Sequence, residues 1–443
     1  MHISPARRAA FEILRRIEDE DAYSSALLAR AETSLNAKDR ALCHELVLGV
    51  LRRQLWLDLT LEHFASREVH SLDLPVVIAL RLGLYQLRFL SRIPASAAIN
   101  ESVNLVKTAR VKSAAPFVNA ILRRATREPN FDPAAQVSGP TEQLAIETSH
   151  PCWLIERWIQ QFGIEEAAAM ARANNEPASN AFRFTAKARS LNLGLDDLSE
   201  SGLGLQPSSI TPDCWRVVDR TGDGARQLRR LAAEGLIYFQ DEASQLVAHL
   251  IAAHDQNRVL DVCAAPGSKS TLIAALALNT RIVACDLYEH RLRATRKLVE
   301  LQGAMNIDFL VHDATFRLPF AEKSFGRVLV DAPCSGTGTL RHNPEIRWRL
   351  QPIDIEQLAD KQKAILHHAS AAVEAGGLLL YSTCSIEKEE NEEVASDFLK
   401  SHRDFEMARL SAQHSATDTG FVRTWPHRDQ TDGFFVTGFL RKI

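Results

Sequence analysis

The feature that most constrains the fold lies in the second half of the chain, where RVLDVC, RIVACD, IDFLVHD, RVLVDAP and GGLLLYSTC alternate with KSTLIAALALN, EHRLRATRKLVELQG and DIEQLADKQKAILHHASAAVEA. The first set are short, nearly continuous apolar runs that suit strands buried on both faces; the second have helical periodicity. Strand, helix, strand in strict alternation is the pattern of a parallel, doubly wound α/β sheet. GFFVTGFLRKI would add a last strand. Ligands of such sheets bind beyond the carboxyl ends of the strands, so the residues that follow each run are where chemistry is expected.

The 443 residues exceed what one core organises. From Pro5 to about Arg127 apolar residues recur at three and four, as in LCHELVLGVLRRQLWLDLTLEHF and PVVIALRLGLYQLRFL, which predicts an all-helical domain over 1–130. REPNFDPAAQVSGPTEQ has prolines and little periodicity, so 131–149 reads as a linker. HPCWLIERWIQQFGIEEAAAMARANN is helical again, and a mixed region follows with a strand at Asn180–Thr185, which makes 150–240 a small α/β subdomain. The α/β pattern then occupies 241–443. The fold class expected is therefore multidomain, α and α/β.

No apolar run approaches the length of a membrane span, and MHISPARRAAFEILRR enters an amphipathic pattern directly, so a cytoplasmic protein is expected. Seven cysteines without a CxxC pair or zinc spacing imply free thiols and no metal. The net charge of −3 is uneven: residues 1–130 carry 19 Lys/Arg against 14 Asp/Glu, or +5, leaving −8 for the remainder. A mildly basic N-terminal domain is compatible with nucleic-acid contact.

In RVLDVCAAPGSKSTLIAAL a strand ends, the chain turns on small residues and a helix begins. Cys263, Ala264, Ala265, Pro266, Gly267, Ser268 and Lys269 form a loop that a ligand can approach closely, yet it is neither GxGxxG nor a P-loop. Asp286, Asp313 and Asp331 stand at three further strand ends. Acids around a small-residue loop suit a cationic adenosine ligand better than nucleotide phosphates, which points to S-adenosylmethionine.

Cys334 and Cys384 both fall at the carboxyl edge of predicted strands, whereas Cys43 and Cys285 read as packing residues. A methyl donor beside cysteine nucleophiles suggests methylation of a carbon that is not itself nucleophilic, such as carbon 5 of a pyrimidine. Thiolate addition at carbon 6 makes carbon 5 enamine-like. Spacing alone leaves open which of the two cysteines attacks.

AAPGSK, DAPCSGTG and YSTCS, with QDEASQL upstream and RWRLQPIDIEQLADKQKAIL downstream, resemble the NOL1/NOP2/Sun family of RNA cytosine-carbon-5 methyltransferases. The N-terminal helices, with AAINESVNLVK and PFVNAILRR, resemble the NusB-type RNA-binding domain that bacterial 16S ribosomal RNA members of the family carry. The resemblance implies a NusB-like bundle, a small RNA-binding subdomain and a Rossmann-like methyltransferase domain. It assigns attack to Cys384, assistance in release to Cys334, and the cytosine edge to Asp331, which also lies close to the cofactor. S-adenosylmethionine falls to Cys263–Lys269, Asp286 and Asp313. Ser268 stands where the family usually has a second glycine, and a positive φ there would strain it. Thr185 stands where asparagine is common.

The resemblance also implies an RNA substrate, 16S ribosomal RNA first and transfer RNA as the alternative; no DNA or membrane partner is expected, and a monomer is the default. A non-catalytic RNA-binding or assembly factor and an antitermination factor are the readings from other classes. The target base would have to be unstacked or single-stranded. Arg123, Arg124, Arg341, Arg347 and Arg349 are candidate RNA contacts, with Trp348 as a stacking ring.

Overall fold

A computed structural model describes residues 3–20, 22–31, 34–195, 198, 203–219, 224–252, 258–410 and 420–443. The chain divides into two compact units, Met1–Pro177 with Leu340–Leu350, and Ala178–Thr339 with Gln351–Ile443. No helix among the described residues is long and apolar enough to cross a membrane.

The first unit contains α1 (Pro5–Glu20), α2 (Ser24–Ala31), α3 (Ala37–Arg52), α4 (Gln54–Ala65), α5 (Leu74–Phe89), α6 (Ala95–Thr108) and α7 (Ala115–Arg127), followed by α8 (Pro140–Thr148), α9 (Cys152–Phe162) and α10 (Ile164–Ala173). Asn36 starts α3 by accepting the N–H groups of Lys38 and Asp39, and prolines start α5, α7 and α8. Leu46, Leu57, Leu61, Leu80 and Leu122 are wholly buried between the helices. Gly49 allows α3 and α5 to approach, since a Cβ there would lie 2.0 Å from Cζ of Tyr85.

The stretch 131–149 is not a structureless linker. It carries α8, with Leu144, Ala145 and Ile146 buried, and α8 to α10 cluster with the N-terminal helices and not with the small sheet. Nine residues give too few helical turns to register as periodicity beside the prolines that surround them.

The second unit has two sheets. The smaller has the antiparallel order β2-β3-β1-β4, from β1 (Asn180–Phe184), β2 (Gly204–Pro207), β3 (Cys214–Asp219) and β4 (Ile237–Phe239), with α11 (Ala186–Ser190) and α12 (Gly224–Ala233). Thr185 is buried at the start of α11, where its hydroxyl donates to Gly235 O and accepts from Ala188 N. Arg183 on β1 is also buried and reaches Gln240 Oε1 at 2.8 Å and Thr271 Oγ1 at 2.9 Å, which ties the small sheet to the helix behind the small-residue loop. Burial pulls its guanidinium down to about 9.

The larger sheet begins after α13 (Glu242–Ile251) with β5 (Arg258–Asp261), α14 (Ser268–Leu276), β6 (Arg281–Asp286), α15 (Glu289–Gln302), β7 (Ile307–Val311) and β8 (Phe325–Asp331). The chain then gives residues 340–350, including α16 (Ile346–Arg349), to the first unit. It returns as α17 (Pro352–Ser370), β9 (Val373–Thr383), α18 (Glu392–Ser401), β10 (Phe405–Met407), β11 (Phe421–Thr424), α19 (Pro426–Asp429) and β12 (Phe434–Arg441). The order is β10-β12-β9-β8-β5-β6-β7, with β5 to β9 parallel and β12 antiparallel to β9. Strand order reverses between β5 and β8, so the crevice for a ligand opens at their carboxyl ends.

Residues 340–350 correct the reading of the buried Arg341 and Arg347 as RNA contacts, and give the half-buried Arg349 and Trp348 partners within the helical unit. Arg347 has no exposed surface and donates to Ser149 O and Asn175 Oδ1, both at 3.0 Å. Arg349 donates to Ile17 O and Ala22 O, Arg341 to Pro177 O, and Trp348 Nε1 to Leu51 O. Glu345, also buried, accepts from the backbone N and the hydroxyl of Ser24. Their charges serve carbonyl groups and a helix start inside the helical unit. Of the other candidates, Arg124 pairs with Glu128 and donates to Phe64 O, while Arg123 is exposed beside Asn119.

Arg347→Met keeps side-chain bulk but leaves these buried acceptors unpartnered. The expected cost is about 2–3 kcal/mol of unfolding free energy, read as a lower urea midpoint for the helical unit by tryptophan fluorescence. A midpoint equal to that of the parent protein would mean that the segment does not help hold this unit together.

Candidate active site

The crevice is built from the ends of β5, β6, β7, β8 and β9. After β5 the small-residue loop runs through a cis Ala265–Pro266 bond to Gly267, whose φ of 98° lies in the left-handed region. A Cβ on Gly267 would sit 2.4 Å from Cγ2 of Thr295, so glycine is required there twice over. Ser268 opens α14 instead of occupying the positive-φ position, so the serine is not strained. Ala264 and Ala265 are buried, Cys263 is partly so, and Pro266 is exposed at the turn.

Asp286 closes β6 and is buried. Its Oδ2 accepts from Ala265 N at 3.2 Å and its Oδ1 from Tyr288 N at 3.0 Å. Arg291 stands 3.5 Å from this carboxylate and donates to Ala265 O, a residue that helical spacing alone would have placed in solvent. Asp313, beyond β7, accepts from Thr315 Oγ1 and N, and those hydrogen bonds hold its carboxyl below the usual range.

Asp331 closes β8. Lys269 Nζ donates to its Oδ2 at 2.6 Å and Ser382 Oγ to its Oδ1 at 2.8 Å. Lys269 therefore faces Asp331, and it also lies over the Phe434 ring. Burial, the largest influence, pulls the ammonium down, but Asp331 outweighs it, so Lys269 ends above its ordinary value and stays protonated. Ser382 is legible only through register, since β9 sets it directly opposite Asp331.

The sulfurs of Cys334 and Cys384 are 3.2 Å apart, one on the loop after β8 and the other just past β9. The hydrogen bond with Cys384, then burial, pushes the Cys334 thiol well up. Cys263 is likewise pushed up by burial, and Cys285 to about 12 for the same reason, which leaves Cys285 a packing thiol. A cavity of about 250 Å³ joins these groups, lined among others by Asp286, Asp313, Asp331, Cys334 and Cys384. Tyr288, Lys361 and Ile365 line it too, without a signal in the sequence to single them out.

Under the loop, Asp261 is buried with Ser270 Oγ at 2.6 Å, and burial raises its carboxyl to about 7. A folded-state value above the unfolded one means that the native protein holds the extra proton. Its stabilising contribution is full below about pH 4 and is lost as pH rises through 7. Asp261→Asn cannot ionise, so its unfolding free energy should gain on the parent's by more than about 1 kcal/mol between pH 5 and pH 8. Parallel pH curves in denaturant titrations would refute the buried titration.

Residues 248–440 match the family model described as 16S rRNA methyltransferase RsmB/F, residues 4–127 the NusB family, and residues 150–222 an RsmF/B-like ferredoxin-like domain. The chain is 34% identical over 455 residues to the probable ribosomal RNA small subunit methyltransferase B of Bacillus subtilis (strain 168), covering 100% of both. It is 34% identical over 402 residues to ribosomal RNA small subunit methyltransferase B of Pseudomonas putida, covering 90% of this chain and 89% of that one. Among solved structures, PH0851 superposes with a TM-score of 0.83 at 26% identity over 99% of each chain. NSun6 from Pyrococcus horikoshii, solved with SFG, shares the fold at a TM-score of 0.57 and 20% identity, covering 66% of this chain and 98% of that one.

Proposed function

Since the chain belongs to the RsmB/F family of ribosomal RNA small subunit methyltransferases, we propose that it methylates carbon 5 of a cytosine in 16S ribosomal RNA through a covalent adduct on Cys384. The observation that carries the reading is the contact between two thiols at 3.2 Å beside a carboxylate held by a buried lysine.

The cavity fits S-adenosylmethionine in the character of its donors. Asp286, Asp313 and Asp331 line it together with a small-residue loop, and a sulfonium tolerates carboxylates where a polyphosphate would not. The segment Cys263–Ser268 would hold the cofactor against the backbone, Asp286 its ribose and Asp313 its base. When bound it supplies an electrophilic methyl group.

Carbon 5 of cytosine needs activation before it can accept a methyl group. The Cys384 thiolate bonds to carbon 6, and the displaced electron pair moves through the ring toward its nitrogen. The Lys269–Asp331 pair supplies the proton that this nitrogen takes up, passed from the Lys269 ammonium through the Asp331 carboxylate, and recovers it when the ring is released. Carbon 5, now enamine-like, is methylated. The carbon 5 proton then passes to solvent water, its electron pair re-forms the carbon 5–carbon 6 double bond and the carbon 6–sulfur bond breaks, returning Cys384 as the thiolate while the Cys334 thiol, 3.2 Å away, assists by donating to the leaving sulfur. The base must leave its stack to reach the cavity.

The test is transfer of labelled methyl from S-adenosylmethionine to 16S, 23S and transfer RNA transcripts and to small-subunit particles, with the product mapped by bisulfite sequencing. One 5-methylcytosine confined to 16S RNA is expected. Label confined to transfer RNA would keep the chemistry and move the substrate. No label on any RNA would end the enzymatic reading for these substrates.

A further inference from the structure

Just past Cys384 the chain turns back beneath the site, and two adjacent residues there, Glu390 and Asn391, have no exposed surface. Asn391 brackets Cys384: its Nδ2 donates to Ser385 O at 2.9 Å, and Thr383 Oγ1 donates to its Oδ1 at 2.5 Å. Glu390 faces the other thiol. Its Oε1 accepts from Ser335 N at 2.8 Å and from Gln362 Nε2 at 2.9 Å, and its Oε2 accepts from Ser335 Oγ. Gln362 also donates to Pro333 O at 2.9 Å, so Cys334 is clamped on both of its neighbours. Tyr381 OH fixes the orientation of Gln362 by donating to its Oε1.

We propose that Glu390 is a positioning residue for the release step, its buried carboxylate holding the Cys334 loop at the depth where the Cys334 and Cys384 sulfurs meet. The inference rests on the assignment of attack to Cys384 and of release to Cys334. Burying a carboxylate is costly unless every acceptor site is used, and here both oxygens are committed to one loop and its clamp. Asn391 serves the attacking cysteine and Glu390 the assisting one. The loops also meet directly, Ser335 Oγ with Ser385 Oγ at 3.0 Å and Thr337 Oγ1 with Ser385 Oγ at 3.3 Å, while Ile386 N donates to Thr337 Oγ1 at 3.1 Å and Gly338 N to Cys384 O at 3.0 Å. Most of these contacts hold the loop beyond Cys334; without Glu390, the sulfur separation would rest on them and on the Gln362–Pro333 bond. Burial, the main influence, also raises the Glu390 carboxyl.

The test uses the full-length enzyme with S-adenosylmethionine and its methylatable RNA, following covalent adduct on denaturing gels and product by label. In Glu390→Ala, adduct should form within about threefold of the parent rate while its breakdown slows at least tenfold, so that adduct accumulates. Glu390→Gln, which keeps an acceptor for Ser335 N and Gln362, should recover most of the breakdown rate. A general loss of structure would lower formation and breakdown together and would not be rescued in this way; that result, or unchanged breakdown, overturns the proposal. If Glu390→Ala does not fold, Ser335→Ala combined with Gln362→Ala removes the side-chain part of the clamp, leaving Glu390 only the Ser335 backbone N–H, and must show the same split in weaker form. Cys334→Ala and Cys384→Ala run alongside. Failure of Cys334→Ala to accumulate adduct would locate the fault in the assignment of release and not in Glu390.

Discussion

Cys334→Ala, given S-adenosylmethionine and the RNA substrate, should become covalently joined to that RNA, whereas Cys384→Ala and the double variant should form no adduct and lose methyl transfer by about 10⁴-fold or more. The expectation follows from the contact between the two thiols and from the proposed roles of attack for Cys384 and release for Cys334. Their sulfurs are 3.2 Å apart, so either one could reach a ring seated in the cavity. The Cys334 thiol is pushed well up, first by its hydrogen bond with Cys384 and then by burial. On the proposed assignment, Cys384 supplies the thiolate that adds to carbon 6 and Cys334 assists its release. Removing the attacker abolishes the chain of steps at its first bond. Removing the assistant leaves addition and methylation possible and blocks the exit. The opposite pattern, with adduct accumulating in Cys384→Ala and absent in Cys334→Ala, would reverse the roles while keeping the chemistry.

What the sequence could and could not disclose about this site has a physical reason. Parallel strands buried on both faces must be continuously apolar, so β5, β6, β8 and β9 are visible as runs, and the residues that end them are placed by that fact alone. Asp286, Asp331, Cys334 and Cys384 are found in this way. Lys269 is visible as part of the loop, but its partner is not, because the ion pair joins the start of α14 to the end of β8, far apart in sequence.

Charge was the least informative signal. Within KEENEE, Glu390 is wholly buried while Glu393 is exposed, and nothing in the run distinguishes them. RHNPEIRWRL reads as a basic surface, yet Glu345 and Arg347 are interior. In both cases the partners that allow a buried charge are distant in sequence: Ser335 and Gln362 for Glu390, Ser149 and Asn175 for Arg347. Such compensation is a property of the assembled fold, and no local window contains it. Helix α8 was hidden for a different reason, its brevity between prolines.

Asp331→Asn should reduce methyl transfer by about 10³-fold, although the change preserves the shape of the side chain. Ser382 can still donate to the amide oxygen, so the end of β8 keeps its anchor. What is lost is the negative charge that sustains protonated Lys269 in a buried place, against a burial effect that alone would pull its ammonium down. The pair proposed to place a proton at the ring nitrogen is thereby dismantled from both sides. Lys269→Met removes the same function from the other end and should cost a similar factor. Because the two act as a unit, the double variant should be slower than the worse single variant by no more than about tenfold, far from the product of the two losses. Placing each change in the Cys334→Ala background shows which step suffers. Proton placement at the ring accompanies addition, so adduct formation itself should slow. If Asp331→Asn formed adduct at the undiminished Cys334→Ala rate, the carboxylate would act after addition, and protonation of the ring nitrogen would have to be assigned elsewhere.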